Sequence, residues 1–109
     1  MSRTGIVLYR PRKGKELELI SMIRDHFPFL RSEGFITNKK VMAMKAKDGC
    51  VMVVFEWVSP ESIGEAEKHS GVHDIWMQVS KVSDFEKPSN LKEFQDVFPD
   101  FETIELEDF

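Results

Sequence analysis

The sequence predicts an α+β fold in which helices cover one face of an antiparallel sheet. Residues 41–47 and 51–58 are rich in apolar and β-branched residues and flank Asp48-Gly49. This dipeptide is typical of a β-hairpin, and we expect a type I′ turn because both of its central positions need a positive φ. Elsewhere, apolar residues recur at spacings of three and four, which is the period of a helix. A chain of 109 residues is expected to form one domain, residues 1–109.

The first two predicted elements are a strand and a long helix. Residues 5–10 form an apolar run that ends at Pro11, as strands often do. From Lys15 onward the apolar spacing changes to that of a helix, and Gly34 is a suitable stop. Pro28 predicts a kink or a restarted last turn, because it lacks a backbone N–H. The residues expected on the buried helix face are Leu17, Ile20, Ile23, Phe27 and Leu30.

The strand at 51–58 leads directly into the second helical region. Both of its faces are apolar apart from Glu56, so we expect both to be covered. Ser59 is a suitable N-cap, and Pro60 suits the first helical position. This helix is predicted to reach about His69, where Ser70-Gly71 interrupts it. A further helical segment is marked by Val72, Ile75, Trp76, Val79 and Val82.

The C-terminal part is predicted to hold a short helix and a last strand. Asn90 and Glu93 resemble a capping box for the short helix, which follows a break at Pro88-Ser89. Residues 101–106 alternate apolar and acidic side chains and predict a strand. The resulting order, β-α-β-β-α-β, is that of the ferredoxin-like split arrangement. Its second sheet face is bare in a monomer, so we expect a homodimer that packs sheet against sheet.

Composition and charge exclude several functional classes. The net charge of −4 is uneven: residues 1–47 hold eleven Lys and Arg against four Asp and Glu, and residues 48–109 hold four against fifteen. With neither a net basic domain nor an aromatic-basic face, no nucleic-acid partner is expected. No run approaches the ~20 apolar residues of a membrane helix. Cys50 is a lone cysteine, so no internal disulfide forms and a cytoplasmic location is expected. Nine Phe and six Met favour an oligomer contact or an apolar pocket.

Three segments resemble the antibiotic-biosynthesis monooxygenase superfamily. They are residues 29–35, the junction 55–61, which reads Phe-Glu-Trp-Val-Ser-Pro-Glu, and the later His69, His73 and Trp76. The resemblance implies a dimeric α+β barrel and cofactor-free oxidation of a small aromatic or quinol-like molecule. The alternative is a non-catalytic, dimeric small-molecule-binding module of the same fold. Haem degradation is not expected, because the positions of its functional residues hold Tyr9, Ala66, and Trp76 or Met77.

Candidate catalytic residues follow from this resemblance. The expected proton acceptor is His73 or Tyr9, and Arg10 is expected to stabilise oxyanion charge. His26 is expected at the surface, with a position in the pocket as the alternative. Glu56 either acts as a base with a raised pKa or pairs with a Lys or Arg.

Candidate ligand-binding residues are Trp57, Trp76, His69 and Asn38, and core packing is the alternative for both tryptophans. His69 and His73 are four residues apart, a spacing that suits a metal, but Gly71 lies between them and no metal site is expected. The sequence has no phosphate loop or nucleotide fingerprint, so no cofactor is expected.

Overall fold

A computed structural model describes residues 1–106. The fold is α+β, as predicted, with one five-stranded antiparallel sheet in the order β4-β1-β3-β2-β5, which is compatible with a ferredoxin-like arrangement. The strands are β1 (Arg3–Pro11), β2 (Met42–Lys45), β3 (Val51–Trp57), β4 (Ser83–Phe85) and β5 (Glu102–Ile104). The helices are α1 (Glu16–Ser32), α2 (Pro60–Glu67) and α3 (Ser70–Val82). Within the described residues, no helix is long and apolar enough to cross a bilayer.

Helix α1 runs through Pro28 without interruption and buries one stripe against the sheet. The prediction that Leu17 lies on this stripe is wrong, because its side chain is 83% exposed. The stripe is rotated, so that Leu19 is fully buried instead. The buried residues of the helix are Leu19, Ile23, His26, Phe27 and Leu30.

The predicted hairpin between β2 and β3 is antiparallel, with Lys45 opposite Val51. Its turn is not of type I′, because no residue other than glycine has a positive φ in the described chain. Within this turn, the residue with a positive φ is Gly49, at 97°. Its N–H donates to the Ala46 carbonyl at 3.0 Å. Ala46 N–H in turn donates to the Cys50 carbonyl at 2.8 Å. The loop is therefore three residues long, with the glycine in its last position.

The junction between β3 and α2 follows the sequence prediction closely. Ser59 caps α2, since its Oγ accepts a hydrogen bond from the Ser62 N–H at 3.2 Å, and Pro60 is the first helical residue. The next helix, α3, starts at Ser70 rather than after Gly71. Both helices therefore begin at local caps, and α3 needs a cap that the sequence analysis did not assign.

The strands at the two edges of the sheet differ from the prediction. The strand that follows α3 directly is β4, which pairs with Tyr9–Pro11 of β1. The C-terminal strand exists, but it pairs with β2 at the opposite edge. The sequence did not predict β4, because its three residues are too few to show an alternating pattern.

The second face of the sheet is covered in part by the chain itself. Two 3₁₀ turns, Pro88–Asn90 and Lys92–Gln95, replace the predicted short helix. Between them, Leu91 is fully buried and packs with Leu8 and Met52. Met42, on the uncovered part of this face, is 58% exposed. Residues 86–95, here called the C-terminal segment, therefore cover part of the face that was expected to be bare.

Candidate functional site

A cavity of about 330 Å³ lies on the side of the sheet that faces the helices. Its walls are predominantly apolar and aromatic. They are formed by Gly5, Ile6, Val7, Tyr9, His26, Phe27, Leu30, Phe55, Trp57, Ile63, Glu67, Trp76 and Phe85. Pockets of this kind, with few polar groups among aromatic walls, are typical of small-molecule sites.

The shortness of β4 places the cavity at the edge of the sheet. Since β4 pairs with β1 only at Tyr9–Pro11, no strand among residues 1–106 lies beside the earlier part of β1 on this side. Phe85, at the end of β4, is 59% exposed and lines the cavity. The cavity therefore has access to solvent at this edge.

Gly5 shapes the floor of the cavity. A Cβ atom at this position would lie 2.7 Å from Cζ of Phe55 and 2.8 Å from Nε1 of Trp57. Both distances are shorter than any ordinary contact, so the two rings occupy the space that a side chain would take. The rings of Phe55 and Trp57 also pack edge to face, with centroids 5.1 Å apart. Glycine in β1 thus allows two aromatic rings to form one wall.

His26 is a buried polar residue of the cavity lining. Its side chain is 4% exposed, and its Nδ1 atom is buried without a hydrogen-bond partner among the described residues. Burial lowers the pKa of His26 to about 4, because the charged ring loses its hydration. The ring is therefore neutral at pH 7. A neutral imidazole has one N–H donor and one acceptor nitrogen, so a molecule in the cavity that reached Nδ1 would supply its missing hydrogen bond.

Tyr9 supplies a second polar group to the lining. Its side chain is 4% exposed, and its ring lies 5.6 Å from that of Phe85. Burial raises the pKa of Tyr9 above its ordinary value, since the phenolate would lose its hydration. The hydroxyl group therefore stays protonated at neutral pH and acts as a hydrogen-bond donor rather than as a base.

The structure brings together three of the residues that the sequence analysis singled out. Tyr9, Trp57 and Trp76 all line the cavity. His73 does not line it: its ring is exposed on α3, contacts Trp76 with centroids 5.7 Å apart, and makes a hydrogen bond with the Glu67 carbonyl. Glu56 does not line the cavity either, and it pairs with Lys39 at 3.1 Å, which lowers the pKa of its carboxyl.

Arg10 lies outside the cavity lining and holds the C-terminal segment. Its Nε donates to Glu86 at 2.8 Å and its Nη2 to Asp48 at 3.2 Å. The hydrogen bond from the Asn90 side chain, followed by that from Arg10, lowers the pKa of Glu86 to about 2. Arg10 therefore links the hairpin loop to the chain after β4. Cys50, next to this cluster, is buried, and burial raises its thiol pKa to about 11.

His69 forms the cap of α3. Its Nδ1 accepts hydrogen bonds from the N–H groups of Gly71 at 3.1 Å and Val72 at 3.3 Å, so Nε2 carries the proton and donates to Glu33 at 2.8 Å. Asn38 is exposed in the connection between α1 and β2. Within residues 1–106, no group of three His, Cys, Asp or Glu side chains is arranged to hold a metal.

His26 is the site residue whose position the sequence analysis placed elsewhere. It follows Ile23 by three residues and precedes Leu30 by four, so it belongs to the same stripe as the buried apolar residues. The expectation that His26 lies at the surface is therefore wrong, and its alternative, a position in the pocket, is confirmed.

Comparison with protein-family models, with curated proteins and with solved structures finds no match to this chain.

Proposed function

We propose that this protein binds a small aromatic, quinol-like molecule in the cavity and oxidises it with dioxygen without a cofactor. The observation that carries the proposal is the buried, neutral His26 ring with an unpaired nitrogen at an aromatic-walled cavity. An unpaired buried nitrogen costs stability, and a ligand that forms a hydrogen bond with it removes that cost. A hydroxyl or carbonyl group on an aromatic ring meets this requirement.

The walls favour a molecule of one to three fused rings. A volume of about 330 Å³ is at the lower end of the range for small-molecule sites. Aromatic pairs contribute about 0.5–1.5 kcal/mol beyond the burial of their area, and Trp57 and Trp76 offer such contacts. The rings provide affinity, whereas His26 and Tyr9 fix the orientation of the polar end.

The proposed reaction starts with proton transfer from the substrate to His26. An imidazole with a depressed pKa is a weak base alone, but the substrate anion formed beside it stabilises the imidazolium by Coulomb attraction. The anion, with its charge delocalised over the ring system, transfers one electron to dioxygen, and the two radicals combine to form a C–O bond. The resulting peroxide anion takes the proton back from His26, and the hydroperoxide then loses water and leaves a carbonyl group. One oxygen atom ends in the product and the other in water, and a substrate CH₂ group supplies the four electrons.

Anthrone tests this reaction, because its CH₂ group becomes the second carbonyl of anthraquinone. The expected result is uptake of one dioxygen per anthraquinone in an oxygen electrode, at a rate above autoxidation. His26→Leu is expected to lose this activity, and His73→Ala, which changes an exposed ring outside the cavity, is the matched control. Binding is measured separately by quenching of tryptophan fluorescence with 2-naphthol, which lacks the CH₂ group.

A non-catalytic binding module is the second candidate function. It is favoured by the protonation states in the cavity, since burial leaves His26 a weak base and Tyr9 a protonated hydroxyl. Binding of 2-naphthol without oxygen uptake from anthrone would select this candidate. Absence of both binding and oxygen uptake would refute the two candidates together.

We also propose that a second copy of the chain covers the part of this sheet face that the C-terminal segment leaves open. Ile6, Val54 and Met42 form one row across three strands there, and the first and last are more than half exposed. The opposite charges of residues 1–47 and 48–109 suit a two-fold pairing. Met42→Glu is expected to convert the dimer to a monomer in light scattering. Met77→Glu, at a Met that is 63% exposed on α3, is expected to leave the dimer intact. A wild-type monomer at micromolar concentration would refute the dimer.

A further inference from the structure

The charge at the cavity comes from one carboxylate. Glu67 is the only acidic residue among those that line the cavity, and no Lys or Arg is among them. The neighbouring His26 is neutral at pH 7, because burial lowers its pKa to about 4. Among the described residues that line the cavity, the one that carries a charge at neutral pH is therefore the acidic Glu67.

Glu67 is free to interact with a ligand. It is the last residue of α2 and is exposed, and its carboxylate makes no ion pair or hydrogen bond with the other residues of the described chain. His73 contacts the main-chain carbonyl of Glu67 and leaves the carboxylate unoccupied. The C-terminal end of a helix also carries a partial negative charge, which adds to that of the carboxylate.

The aromatic walls of the cavity also favour a positively charged ligand. Six Phe, Tyr and Trp side chains line the cavity: Tyr9, Phe27, Phe55, Trp57, Trp76 and Phe85. The face of an aromatic ring is electron-rich and attracts a cation placed over it. A site whose lining combines a carboxylate residue with several aromatic rings suits an organic ammonium group better than an organic anion.

We propose that the cavity selects aromatic molecules that carry an ammonium group over those that carry a carboxylate, and that Glu67 determines this specificity. The inference rests on the proposed binding of a small aromatic molecule and names its chemical class. The aromatic part lies among the rings near His26, and the ammonium group lies at Glu67.

Three probes that share one ring system test the inference: 2-naphthol, 6-(aminomethyl)-2-naphthol and 6-hydroxy-2-naphthoic acid. Their dissociation constants are measured by isothermal titration calorimetry at pH 7 and low salt. We expect the ammonium probe to bind about fivefold tighter than the neutral one, which is the upper range for an exposed ion pair, and the carboxylate probe to bind more weakly by a similar factor. Added salt is expected to reduce both differences.

Glu67→Gln is expected to bring the three dissociation constants within about twofold of each other, because the amide keeps the shape and removes the charge. Glu65→Gln is the matched control: Glu65 lies on the same helix and is exposed, but it does not line the cavity. This variant is expected to keep the wild-type preference.

The outcomes separate the inference from the function on which it rests. If the wild type binds none of the probes, the proposed function fails and the inference fails with it. If the wild type binds 2-naphthol but does not distinguish the two charged probes, the inference is overturned and the proposed function stands. A preference that survives in Glu67→Gln would overturn the assignment to Glu67.

Discussion

Replacing His26 with leucine is expected to stabilise the protein and to flatten its pH dependence. The folded ring has a pKa of about 4, against 6.5 for an ordinary histidine. Between these values the unfolded chain binds more protons than the folded one, so stability rises with pH. Protonation of the unfolded ring costs little stability above pH 6.5, and this cost grows as the pH falls from 6.5 towards 4.

The size of the change in the free energy of unfolding follows from the shift in the pKa of His26. Each pKa unit corresponds to about 1.4 kcal/mol. Between pH 7 and pH 5 the unfolded ring takes up a proton and the folded ring does not, so the free energy of unfolding falls by about 2 kcal/mol. At pH 7, His26→Leu also removes the unpaired Nδ1, which is expected to raise the free energy of unfolding by about 1 kcal/mol.

Urea denaturation at pH 7, 6 and 5, followed by circular dichroism, measures these free energies. His73→Gln is the control, since it removes an exposed histidine, and it is expected to keep the wild-type slope. The comparison of the two variants cancels the titration of other groups over this range. A His26→Leu protein whose free energy of unfolding falls as steeply as that of the wild type would refute the assignment of the slope to His26.

Four further substitutions, in two pairs, test the packing, each measured by urea denaturation. Leu91→Ala is expected to cost about 2–4 kcal/mol, because Leu91 is fully buried against Leu8 and Met52. Val97→Ala, at an 86% exposed side chain, is its control and is expected to change stability by less than about 0.5 kcal/mol. Gly5→Ala is expected to cost about 1–3 kcal/mol and to weaken binding of 2-naphthol, since the new Cβ displaces the rings of the cavity wall. Gly64→Ala, with nothing within 4 Å of its Cβ in α2, is the control and is expected to stabilise by up to about 1 kcal/mol. If the two substitutions of either pair changed the free energy of unfolding equally, the packing assigned to Leu91 or to Gly5 would be contradicted.

The elements that the sequence predicts well have strong local signals. The start of α2 follows from Ser59-Pro60, because capping and the fixed φ of proline act within one turn. The pairing of β2 with β3 follows from two apolar runs around a short loop. The turn type did not follow, because Asp48-Gly49 also suits a three-residue loop that ends in glycine. Local chemistry fixed the pairing but not the exact loop length.

The edges of the sheet depend on long-range contacts that no local pattern reveals. Ser83–Phe85 has only three residues, and its place beside β1 is set by packing of α3 and by the hydrogen bond from Arg12 N–H to the Val82 carbonyl at 2.8 Å. The C-terminal segment docks through Leu91 and through the Arg10 pair with Glu86. Neither contact has a signature in the sequence around it.

Among the site residues, too, some positions could be predicted from the local sequence and others depend on long-range contacts. Trp57 and Trp76 line the cavity, and their size and position after apolar strands and helices suggested a wall. His69, a candidate ligand-binding residue, caps α3 and pairs with Glu33. His26, expected at the surface with the pocket as the alternative, is buried and lines the cavity. The Glu33 partner of His69 is 36 residues away in the sequence, which is why the sequence around His69 does not reveal this contact.

The position of His26 links stability to the proposed function. A leucine or phenylalanine at this place would satisfy the apolar stripe of α1 and would leave no buried nitrogen unpaired. The histidine instead lowers stability by about 1 kcal/mol at pH 7 and by more in mild acid. No group in residues 1–106 forms a hydrogen bond with this nitrogen. A second molecule that supplies the missing hydrogen bond would therefore offset the cost in stability. A ligand that pairs with Nδ1 therefore gains affinity from the same unsatisfied atom that weakens the free protein, and 2-naphthol should stabilise the wild type more than it stabilises His26→Leu.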